Sequence, residues 1–105
     1  MALKGVVLDA GHGGVDPGAV ANNIKEKDYN LLINNYIYKR LKELGIPVSV
    51  TREDDSTLDP TQRVKKALSF YGNDGDVLLL SNHINAGGGD GAEVVYSLRN
   101  NSKFA

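Results

Sequence analysis

The 105-residue chain has no cysteine and only two histidines. Lacking cysteine, it forms neither a disulfide nor a thiolate metal site, and cytosol and cell exterior both suit it. No stretch approaches the ~18 consecutive apolar residues of a membrane span; the longest run that reads as buried is Val77-Leu78-Leu79-Leu80. An excess of charge is missing too. The formal net charge is -1, so no basic field marks a nucleic-acid partner. The N-terminal MALKG lacks a charged segment followed by an apolar one, so no signal peptide is visible. Export is expected to use another route or a leader not contained in this chain.

What is present, 41% hydrophobic and 24% charged residues, is the composition of one soluble globular domain over residues 1–105. The acidic cluster Glu53-Asp54-Asp55 reads as a solvated loop. Gly5 to Leu8 is a nearly continuous apolar run, which suits a strand buried on both faces of a parallel sheet. From Glu26 to Leu44 the apolar residues Tyr29, Leu32, Ile33, Tyr36, Ile37, Leu41 and Leu44 recur every three or four positions. That spacing predicts one apolar face of a helix, closed by Gly45 and Pro47. Ile46 to Thr51 reads as a second strand. Asp59-Pro60 starts a second helix, carrying Val64, Ala67, Leu68 and Tyr71 at helical spacing and ending at Gly72.

Asp76 to Asn82 predicts a third strand and Ala92 to Leu98 a fourth, joined without room for a helix. The last strand is therefore expected to be antiparallel or at an edge. The order βαβαββ implies an α/β domain, a mostly parallel sheet with right-handed crossovers and helices on both faces. The ending Asn100-Asn101-Ser102-Lys103-Phe104-Ala105 carries no cap or turn that closes a domain, so the C-terminal part of the domain is expected to be missing.

In open α/β sheets the functional crevice lies beyond the carboxyl ends of the parallel strands. His12, in DAGHGGVDPGA, follows the first strand there, and His83, in SNHINA, follows the third. Glu26 begins the first helix at the same edge. A carboxylate in a first helical turn is favoured by the helix dipole, but Asp28 meets that need equally well. Two imidazoles and one carboxylate with an open fourth position form a recurring catalytic zinc set, although manganese or iron also accept these ligand types. Asp9 and Asn85 stand close enough in sequence to fix the two rings by hydrogen bonds. Gly11, Gly13, Gly14 and Gly18 let backbone approach a metal or substrate. A phosphate cradle fits less well. GHGGVDPG is neither a Walker loop nor GxGxxG, it lacks the lysine, and Asp16 would repel a phosphate.

Taken together, DAGHGGVDPGA, IKEKDYNL, VTRED, LDPTQRVKKA, LLSNHINA and GAEVVYS resemble the zinc-dependent N-acetylmuramoyl-L-alanine amidases of the type 3 amidase family. Its members occur as bacterial autolysins, sporulation and cell-separation enzymes, and phage endolysins. The resemblance runs from about residue 4 to about residue 98, with all blocks in order. It implies that His12, Glu26 and His83 bind Zn2+ and that peptidoglycan is the substrate. The reaction it implies is hydrolysis of the amide between N-acetylmuramic acid and L-alanine of the stem peptide, at the cell wall, outside the cell or after phage release.

Two departures from the family pattern stand out. Asn82 takes the place of an apolar residue before the second histidine. The family's catalytic glutamate lies in a later block resembling V-E-x-G-F, which does not occur in residues 1–105. Glu93, on the fourth expected strand, is the nearby carboxylate, and it is read as a pocket or structural residue. The resemblance thus implies an amidase portion whose acid/base lies elsewhere. The rival reading is a non-catalytic, zinc-containing wall-binding module.

Overall fold

The computed structural model describes residues 3–72 and 75–84. Strand β1 (Gly5–Ala10) is flanked by β4 (Val48–Val50) and β5 (Val77–Asn82), both parallel to it, in the order β4-β1-β5. Two short strands, β2 (Val20–Ala21) and β3 (Ile24–Lys25), form a separate antiparallel hairpin. The helices are α1 (Glu26–Glu43) and α2 (Pro60–Tyr71). The α/β class and the parallel sheet agree with the sequence pattern. The fourth expected strand, Ala92 to Leu98, lies outside the described residues.

All six residues of β1 are buried, because the strand has neighbours on both edges and a helix over each face. The alternation of side chains sorts them between those faces. Val6 and Leu8, with Val50, pack under Ile37, Tyr38 and Leu41 of α1. On the other face Tyr71 of α2 lies against Gly5, and its hydroxyl is 3.0 Å from Ser49 Oγ. Asp9 continues that second face.

Both helix boundaries follow from local chemistry. At α2 the Asp59 carboxylate accepts from Gln62 N (2.7 Å), while Gln62 Oε1 accepts from Asp59 N (3.0 Å), and Pro60 opens the helix. This reciprocal cap satisfies two otherwise orphaned donors. At the end of α1, Gly45 N donates to Lys42 O and Ile46 N to Leu41 O, each at 3.0 Å, which closes the last carbonyls.

The helix faces differ from those the spacing predicts. On α1, Ile37 and Leu41 do reach the core, but Tyr29, Leu32, Ile33, Tyr36 and Leu44 are exposed. The first half of that helix instead buries Glu26, Lys27, Asn30 and Asn34. On α2, Val64 and Leu68 are exposed, while Arg63, Ala67 and Tyr71 are half-buried. The ion pair from Arg63 to Asp9 turns this side of α2 toward the sheet. The run Val77–Leu80, which reads as buried, lies at the edge of the described sheet with Leu79 and Leu80 exposed.

Candidate metal centre

Because β1 and β5 are neighbours in register, with Ala10 opposite Asn82, the residues that follow them emerge side by side. Gly11 N donates to Asn82 O (3.0 Å), and the chains then diverge into His12 and His83. The β2–β3 hairpin returns the chain from the glycine loop to the start of α1. Its turn residues, Asn22 and Asn23, have φ of 53° and 63°, the left-handed pair that a two-residue primed turn requires. Glu26 N donates to Ala19 O (2.8 Å) and Lys27 N to Pro17 O (3.1 Å), so the helix start is stitched to the His12 loop.

The three side chains meet at this edge. His12 Nε2 lies 3.4 Å from Glu26 Oε1, and His83 Nδ1 lies 3.2 Å from Glu26 Oε2. The two rings stand edge to face, with centroids 5.1 Å apart. One donor atom from each residue lies within 4.8 Å of the others. Donors around a tetrahedral zinc with bonds of ~2.0–2.1 Å are about 3.4 Å apart, so this set needs only a small contraction to hold such an ion. Space for it comes from glycine. A Cβ at Gly11 would strike the His83 ring, and one at Gly18 (φ 68°) would come within 2.7 Å of Glu26 Oε1 and of His12 Cδ2.

Two of the three donors, His12 and Glu26, are held by partners outside the triad. His12 Nδ1 is 2.8 Å from Asp16 Oδ2. The ionised Asp16 carboxylate is placed to accept from Nδ1–H, and Nε2 is the ring nitrogen that faces Glu26. The hydrogen bond from His12, followed by that from Gly18 N, holds the Asp16 carboxyl below the usual carboxylate range. Burial pushes the Glu26 carboxyl up. The N–H groups of Ala19 and Ile84, the Asn30 amide and the His12 ring reverse that, and its net pKa is lowered. Glu26 is therefore an anion whose oxygens are aimed by three N–H donors.

Asp9 does not serve a ring. Its carboxylate accepts from Thr51 Oγ1 (2.8 Å), Ser81 Oγ (2.6 Å) and Arg63 Nη1 (2.5 Å), tying β1, β5 and the residue that follows β4 to α2. The expected ring partner on β1 is thus a structural clasp, because alternation sends its side chain to the α2 face, and Asp16 takes the orienting role. Asp55, expected in a solvated loop, is exposed but bridges Gly14 N (2.8 Å) and Lys27 Nζ (2.7 Å). Asn85 and Glu93 lie outside the described residues.

Asp16, Asn30, Arg52 and Arg63 join the site without being expected there from the sequence. The pair Asp16 and His12, four apart in one glycine loop, was a usable signal.

Comparison with known proteins adds a second line. The family model described as N-acetylmuramoyl-L-alanine amidase matches residues 6–105. The uncharacterized protein YqiI of Bacillus subtilis is 44% identical over 84 residues, covering 80% of this chain and 39% of that one. The endolysin of Bacillus phage SPP1 is 42% identical over 92 residues, covering 86% of this chain and 32% of the phage protein. Among solved structures, the catalytic domain of CwlV, an N-acetylmuramoyl-L-alanine amidase from Bacillus (Paenibacillus) polymyxa var. colistinus, superposes with a TM-score of 0.70. It is 37% identical, with 85% of this chain and 48% of that one covered. The chain spans less than half the length of each of these proteins. It belongs to the N-acetylmuramoyl-L-alanine amidase family.

Proposed function

We propose that the chain contributes the metal-binding part of a zinc-dependent peptidoglycan amidase, with His12, Glu26 and His83 as the protein ligands. Its substrate would be the amide joining N-acetylmuramic acid to L-alanine of the stem peptide, cleaved at the cell wall. The observation that carries this reading is the convergence of two imidazoles and one anionic carboxylate within 4.8 Å at the carboxyl edge of the sheet. Zinc bound there would supply Lewis acidity toward the scissile carbonyl and a water of lowered pKa.

The chain's own groups orient the ligands. Asp16 is placed to accept from His12 Nδ1–H, and Asn30 and Ile84 N keep Glu26 Oε2 turned into the site. Protonating the leaving amine needs a positioned acid. Glu26 is unsuited to that task, being held ionised by its N–H donors. The family resemblance gives that role to a glutamate in a block that does not occur in residues 1–105.

Release of new N-terminal alanine from purified cell wall, by the protein carrying that glutamate block, is the activity test. His83→Ala is expected to abolish both zinc retention and release, and Glu93→Ala to leave zinc in place. A full equivalent of zinc on His83→Ala would overturn the ligand set. Zinc retention without any release by the glutamate-containing protein would favour a wall-binding module.

A further inference from the structure

Pairing along β1 ends at Ala10, and the carbonyls of Ala10, Gly11 and His12 are all taken by side chains. Two arginines supply most of those donors. Arg52, 1% exposed, donates through Nε to Ala10 O (3.0 Å) and through Nη1 to Asp54 O (2.9 Å). Its Nη2 reaches Gly11 O and Lys27 O at once, each at 3.0 Å. Arg63 donates through Nη1 to Ala10 O (2.8 Å) and through Nη2 to His12 O (2.9 Å). Asn30 Nδ2 adds a second bond to Gly11 O (3.1 Å).

All four acceptors of Arg52 are main-chain carbonyls. Burying a guanidinium without a carboxylate in its fork is expensive, and an apolar residue would fill the space more cheaply. The geometry accounts for the arginine's presence. His12 sits at φ 63°, a left-handed conformation that is strained for a non-glycine residue. An unrestrained glycine loop would not keep it there. The single nitrogen Nη2 of Arg52 joins the residue before His12 to the residue after Glu26. It thereby sets the separation of two of the three donor groups through the backbone, without touching either side chain.

We propose that Arg52, assisted by Arg63, is the positioning residue of the metal centre, presenting His12 and Glu26 at ligand separation before a metal arrives. This rests on the ligand assignment given above. In metal sites, removing the groups that orient ligands lowers affinity by about 10- to 100-fold.

The test is titration of the metal-free chain with Co2+, read by its visible absorption, and with Zn2+ in competition with a chromophoric chelator. Each protein is measured at a temperature where circular dichroism shows it folded. Arg52→Lys keeps the charge but loses the fork, and is expected to bind roughly 10- to 100-fold more weakly with an altered Co2+ spectrum. Arg63→Lys keeps a cation for Asp9 and loses the simultaneous hold on Ala10 O and His12 O, so it should shift in the same direction. Val6→Ala, in the apolar core, should lower the melting temperature while leaving affinity and spectrum unchanged. If Arg52→Lys does not fold, Arg63→Lys decides. Wild-type affinity and spectrum in the folded arginine variants, or an equal loss in Val6→Ala, would overturn the positioning role alone. Failure of the unmodified chain to bind either ion would overturn the ligand assignment, and the positioning role with it.

Discussion

From Glu26 to Asn34, helix α1 turns Glu26, Lys27, Asn30 and Asn34 inward and leaves Tyr29, Leu32 and Ile33 exposed. Three residues further on it does the opposite, packing Ile37, Tyr38 and Leu41 over Val6, Leu8 and Val50. One helix thus lies across two different ends of one sheet. At the amino end it meets side chains, and apolar contact is the natural solution. At the carboxyl end it meets loops whose carbonyls and N–H groups need partners, so buried polar residues are favoured there. Lys27 Nζ caps Gly14 O (2.9 Å), and Asn30 bonds Gly11 O and Glu26. Asn34 departs from the pattern, being fully buried with neither amide atom paired among the described residues.

The sharpest way to break this contrast is at the apolar end. Leu8→Ala should cost about 2–5 kcal/mol in urea unfolding, while, on the proposed ligand assignment, the folded fraction binds metal as the unmodified chain does. A loss of affinity there would mean that the two ends are not separable.

Next in size is the Asp9 clasp at the carboxyl end. The Asp9 carboxyl is pushed up by burial but pulled below its ordinary value of 3.8 by Ser81, Arg63 and Thr51. A depressed carboxyl stabilises the fold above its unfolded value and loses that contribution as pH falls through the folded one. The loss therefore falls below about pH 3.8. Asp9→Asn should cost about 1–3 kcal/mol at neutral pH and flatten this acid limb, measured by urea unfolding at a series of pH values. An unchanged acid limb would assign it to other carboxylates.

The smallest effect belongs to the outward side of α1. Tyr36, 75% exposed, should tolerate Lys with a change within about 0.5 kcal/mol. A larger loss in this chain would show that the outward face is covered after all.

Legibility in the sequence followed the same division. Strands β1, β4 and β5 and both helices were readable because apolar runs, a Gly-Ile-Pro stop and an Asp-Pro cap are local signals. The edge at which His12, Glu26 and His83 converge was readable because parallel strands put their carboxyl ends together. The helix faces were not, because periodicity finds an apolar stripe without saying what opposes it. Arg52 was also invisible, since arginine in a charged stretch reads as surface and only the folded loop shows four carbonyls around it. The β2–β3 hairpin was missed although Asn22-Asn23 between Val-Ala and Ile-Lys is its signature.

The placement of His83 has a consequence for folding. His12 and Glu26 are joined by a short, internally bonded loop, whereas Glu26 and His83 are 57 residues apart and meet only when β5 has docked. Strand β5 is held on one side only among the described residues. On the proposed ligand assignment, metal affinity and docking of that strand are thermodynamically linked. A free ion at 100 times its dissociation constant would stabilise the docked state by about 2.7 kcal/mol. Amide exchange along Val77–Asn82 would then slow with added metal, making the edge strand a gauge of occupancy at the site.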